Sequence, residues 1–114
     1  LAQKKKSPTY RMSADDHVVL RKAILQLLMT CGGEIFSKNG LAGRIVRDHV
    51  PVQRDELRTK AGINRELVFM AQDKLLEREG SATRTYRLKL TDTGFALAKG
   101  YGFKKGNWKP EPPA

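Results

Sequence analysis

A single cysteine, Cys31, stands among the 114 residues, so the chain cannot close a disulfide on itself. No Cys and His residues are spaced as metal ligands, and no metal is expected. The two histidines, His17 and His49, have no carboxylate or nucleophile at a recognisable catalytic spacing, and both read as surface or capping residues. The glycines form no phosphate-cradling loop. Neither a cofactor nor an enzymatic activity is therefore expected. Long apolar runs are also missing. The best candidate, Val18 to Met29, is interrupted by Arg21, Lys22 and Gln26 and falls short of a bilayer span. It lies within a capped helix rather than behind a short basic leader, so it does not read as a signal peptide. These absences point to a small, non-membrane protein of a reducing compartment, expected to be cytoplasmic.

Acidic residues are scarce beside basic ones: 12 Asp and Glu against 22 Lys and Arg, a formal net charge of +10. The imbalance is uneven. Residues 1–12 carry Lys4, Lys5, Lys6 and Arg11 with no acid, and residues 101–114 carry Lys104, Lys105 and Lys109 against Glu111. A basic balance suits a polyanion, because each Lys or Arg placed on a phosphate releases counterions. The alternative on charge alone is a soluble domain with charged tails.

Three regions follow from the pattern. Residues 1–12 lack a hydrophobic period and contain Pro8, so they read as a flexible basic arm. Residues 13–100 read as one domain, and residues 101–114 as a basic, aromatic, Pro-rich tail without fixed structure. Within the domain, Ser13 is a good N-cap, with Asp15 and Asp16 in the first turn, for a long helix whose apolar face runs through Leu20, Ile24 and Leu28 to Gly32-Gly33. Residues 34–37 read as a short extended segment. A second helix begins at Leu41 and ends before Pro51, and residues 53–60 form a third helical stretch around Leu57. A further helix is expected from Arg65 to Glu79. From Thr83 to Leu90 the period becomes two, with Tyr86, Leu88 and Leu90 facing inward. Thr91-Asp92 cap a last helix closed by Gly100.

The stretch from Leu57 through Gly62, Ile63, Asn64 and Val68 to Leu75 resembles a helix-turn-helix. Leu57 anchors the first helix, Gly62 makes the corner, Ile63 inserts between the helices and Asn64 caps the second. Val68, Ala71 and Leu75 hold that second helix on the core. The following strand, the Leu-Thr-x-x-Gly turn at Leu90–Gly94 and the trailing Phe95-Ala-Leu-Ala look like those of bacterial winged-helix regulators, the broad group containing the MarR-like and PadR-like repressors. The resemblance implies a mainly α fold with a small β element, a winged helix-turn-helix, and double-stranded DNA as partner. The span from Gly80 to Leu90 is short for a two-stranded wing. The wing is therefore expected to be short or missing, with the strand pairing instead with residues 34–37.

Candidate DNA contacts are Arg65, Glu66 and Phe69 at the start of the recognition helix, Asn64 as its cap, and Lys60 and Arg58 before the turn. Arg44 and Arg47 on the second helix, Arg84, Arg87 and Lys89 on the strand, and Lys4, Lys5 and Lys6 in the arm complete the set. One feature opposes it: Glu66, Met70, Asp73 and Glu77 are expected on the exposed face of the recognition helix, where carboxylates repel phosphates. The alternative readings are a winged-helix module that binds a protein partner within a larger complex, and an RNA-binding module using the basic arms. The tail's Tyr101, Phe103 and Trp108 could stack on bases or dock on a protein. The long first helix is the expected surface for a homodimer.

Overall fold

The computed structural model describes residues 13–38, 41–80 and 85–108. Helix α1 (Ala14–Thr30) starts where the sequence places it. Ser13 and Asp16 form a reciprocal capping box: each side chain accepts from the other's backbone N–H, at 3.1 and 2.9 Å. Gly32 and Gly33 end α1 at φ of +79° and +100°, backbone that a side chain would strain. Strand β1 (Glu34–Lys38) follows, then α2 (Leu41–His49), a 3₁₀ turn (Val52–Leu57) and α3 (Lys60–Gln72). Strands β2 (Leu76–Glu79) and β3 (Thr85–Leu90) and helix α4 (Asp92–Gly100), capped by Thr91, complete the order.

The protein is mainly helical with one three-stranded antiparallel sheet in the order β1–β3–β2. Burial alternates along β3 as its sequence period implies, with Tyr86, Leu88 and Leu90 inside and Arg87 and Lys89 outside. The expected partner of this strand is present: Ile35 pairs with Leu88 and Ser37 with Tyr86. Helix α1 runs through the middle of the core, with Leu20, Ile24, Leu25, Leu27 and Leu28 all fully buried. Beyond its first residue it exposes only Asp15, Val18, Lys22 and Gln26. The apolar face expected to pair with a second copy is thus spent inside the fold.

Four sequence expectations are corrected. The helix expected over 65–79 lies five residues earlier at its start and ends at Gln72. Its N-cap is Thr59, whose hydroxyl accepts from Gly62 N–H at 3.0 Å, so residues 61–64 are its first turns and Asn64 is not a cap. Residues 76–79, read as helix, are the strand β2. Lys74, at φ 63°, turns the chain after Asp73, and Glu77 and Glu79 then lie opposite Lys89 and Arg87. Those opposite-charge cross-strand pairs favour strand over another helical turn. A short β2–β3 hairpin therefore exists. The helical stretch expected over 53–60 is a kinked 3₁₀ turn, with Arg54 off helical geometry at φ −116°, ψ 40°.

The fourth correction concerns the tail. Gly106 N–H and Trp108 N–H donate to the carbonyls of Met29 and Thr30 at 2.8 and 2.9 Å, satisfying the open C-terminal end of α1. Phe103 packs on the core. The folded unit continues past Gly100 through Trp108.

Candidate nucleic-acid interface

Helix α3 has two sharply different sides. Ile63, Glu66, Leu67 and Met70 recur at helical spacing, and each is at most 1% exposed. Lys60, Asn64, Arg65, Val68 and Gln72 recur on the opposite side and are exposed, Val68 to 44%. Val68 is therefore not a core anchor. Glu66 and Met70 are not on the outer face, contrary to the sequence expectation.

The inward placement of Glu66 is what frees that face of acid. A carboxylate at zero exposure is costly unless its oxygens are met by charge and hydrogen bonds. Both of its oxygens are met. His17 Nδ1 lies 2.5 Å from Oε1, and Arg21 Nε donates to Oε2 at 2.7 Å. A carboxylate only accepts, so His17 Nδ1 carries the proton of that bond. Arg21 Nη2 also donates to Asp73 at 2.7 Å, drawing the helix's last acid back onto α1. Burial works against the Arg21 charge, but the hydrogen bonds to Glu66 and Asp73 outweigh it and raise its pKa above the ordinary guanidinium value. Phe69, expected at a base edge, is half-buried with its ring edge-on to His17 at 5.7 Å.

The other candidates divide. Lys60, Asn64 and Arg65 share the outer face of α3, while Arg44 and Arg47 are exposed on α2. Arg58 is a structural residue rather than an open cation: its Nη2 donates to the Val50 carbonyl at 2.8 Å, and Nη1 lies 3.6 Å from Asp55. On the outer face of the sheet, Arg87 lies 3.9 Å from Glu34 and 3.8 Å from Glu79. Lys89 is in register with both Glu34 and Glu77. That surface alternates in sign and offers phosphates no net attraction. Lys4, Lys5, Lys6 and Arg84 lie outside the described residues.

Sequence reasoning missed Val68 and Gln72 on the outer face. The signal was the i, i+4, i+7 spacing of Ile63, Leu67 and Met70, whose burial leaves Val68 and Gln72 on the other side of the helix. Among the described residues no group of three or more His, Cys, Asp or Glu could hold a metal ion, and no helix is long and apolar enough to cross a membrane. No protein-family model, curated protein or solved structure matches the chain.

Proposed function

We propose that the chain is a non-catalytic winged-helix domain that binds double-stranded DNA through the outer face of α3. The observation that carries this reading is that face itself: Lys60, Asn64, Arg65, Val68 and Gln72 exposed together, with Glu66 turned inside and Asp73 held by Arg21. Of the acids expected there, Glu66 is buried, Asp73 is paired with Arg21, and Glu77 lies on β2 instead. Each exposed type has a role at base edges. Arg65 can donate a bidentate pair to guanine, Asn64 and Gln72 can pair with adenine, and Val68 can meet a thymine methyl. Lys60, at the start of the helix, is suited to a phosphate. The order helix, strand, two helical elements, hairpin and helix, with β3 between β1 and β2, supports the winged-helix assignment.

Selection on random duplexes, followed by salt-titrated binding with RNA as competitor, tests the proposal. Arg65→Ala should relax preference at one base pair by about 1–3 kcal/mol while leaving the thermal melt unchanged. A variant that keeps the wild-type preference, or an RNA that competes as well as the selected duplex, would overturn it.

A further inference from the structure

The described residues carry 16 Lys and Arg against 11 Asp and Glu. Four of the sixteen are Lys22, Lys99, Lys104 and Lys105. All four are exposed, three of them close in sequence at the end of α4 and in the segment that follows it. Lys22 projects from α1 over the ring of Tyr101, 4.9 Å from its centroid, which ties it to the end of α4. Lys99 ends that helix, and Lys104 and Lys105 follow within six residues. Lys105 Nζ lies 5.3 Å over Phe95. No Asp or Glu occurs between Thr93 and Trp108.

This surface ends in a fixed aromatic. Trp108 is 47% exposed, yet its backbone is fastened to Thr30, so its indole is presented rather than trailing. The fastening depends on a close approach. A Cβ on Gly106 would stand 2.7 Å from the Thr30 carbonyl oxygen, and only glycine lets the tail lie against the end of α1.

We infer that this docked tail is a second binding surface, separate from α3, for single-stranded nucleic acid: the lysines take successive phosphates and Trp108 stacks on one base. Lysines beside an exposed indole are the combination that single strands use, charge along the backbone and a ring face for an unstacked base. A duplex keeps its bases stacked and has none to offer Trp108. An acidic peptide finds neither a strand edge nor an apolar groove in residues 103–108, which form no strand and carry two lysines and one glycine.

Trp108 is the sole tryptophan, so its fluorescence reports this surface alone. The full chain is titrated with dT12, rU12, a 12-base-pair duplex and poly-glutamate. The expected result is saturable quenching by dT12 or rU12, the stronger of the two naming the favoured sugar, and little change with the duplex or poly-glutamate. Trp108→Ala should weaken single-strand binding by about 5- to 150-fold, measured by anisotropy of a labelled strand. Lys104→Ala with Lys105→Ala should flatten its log–log salt slope by about 1.4, at about 0.7 per phosphate contact. Gly106→Ala keeps every charge and ring. It should weaken binding as much as the lysine pair does, with the thermal melt confirming that the core still folds. Absence of quenching by either single strand overturns the inference. Equal quenching by the duplex or by poly-glutamate also overturns it, as does a Gly106→Ala variant that folds and binds like the wild type.

Discussion

Helix α1 is fastened to its neighbours by two arginine junctions of opposite composition. At one, a single buried acid, Glu66, lies between two bases, His17 and Arg21. At the other, a single base, Arg54 of the 3₁₀ turn, gathers three acids: Asp15 and Asp16 from the first turn of α1, and Glu56. The first junction is dry at its centre. The second is solvated at its rim, where the Asp15 and Glu56 side chains are 77% and 51% exposed, while Asp16 is 5% exposed. The same ion-pair chemistry therefore does two jobs. The dry junction fixes the rotation of α3 and so decides which residues face outward. The wet one restrains a turn whose charges water would otherwise solvate.

The largest expected effect comes from stranding the buried acid. Arg21→Met leaves Glu66 with only His17, and breaking a buried pair from one side costs about 3–5 kcal/mol. Because the Arg21 side chain is 24% exposed, the lower end of that range is expected in a urea melt. Replacing both partners, Arg21→Met with Glu66→Leu, should recover most of the loss, since a well-packed apolar pair stands in for a buried ion pair at little cost. A double variant no more stable than Arg21→Met would show that the charges themselves hold the helix. The comparison would then need another basis.

Arg54→Ala should destabilise less than Arg21→Met. Two of the three carboxylates it leaves are already in water, and Asp16 keeps its bond from the Ser13 N–H. Its effect should also shrink at about 1 M salt, where the Debye length is about 3 Å, while that of Arg21→Met persists. A urea-melt series at low and high salt separates the two. Equal salt sensitivity at both junctions would erase the distinction between dry and wet.

Much of the fold was legible where local rules act alone. Ser13 with Asp16, Gly32-Gly33 and Thr91 mark helix ends through contacts within a few residues, and the alternation from Tyr86 to Leu90 shows one face of a strand. What escaped depended on partners far away in sequence. Leu75 and Leu76 continue the helical spacing of Val68 and Ala71, and only pairing with β3 makes Leu76–Glu79 a strand. Glu66 looks like an outward acid until Arg21 and His17, more than forty residues earlier, supply its bonds. Its inward turn, with Asp73 paired to Arg21 and Glu77 moved onto β2, took the expected acids off the candidate face. The tail looked unstructured because its bonds are made by backbone N–H groups, which composition does not reveal.

The smallest expected effect lies at the rim of the wet junction and concerns acid. Glu56 holds its carboxyl below the ordinary value of 4.5 first through its own backbone N–H and then through Arg54, whose Nε donates to it at 3.0 Å. A depressed pKa means that the unfolded chain takes up this proton before the folded one does. The stabilisation is therefore complete above the unfolded value of about 4.5 and is lost as pH falls through the lower folded value. Glu56→Gln cannot titrate and lacks this dependence. Melting temperatures measured for both proteins from about pH 7 down to pH 3 should show a small, constant advantage of the wild type near neutrality that closes below about pH 4.5. The exposure of Glu56 keeps that advantage small, and salt should reduce it further. A gap that widens toward low pH would have the wrong sign for a carboxylate stabilised by Arg54, and would move the acid sensitivity to another group.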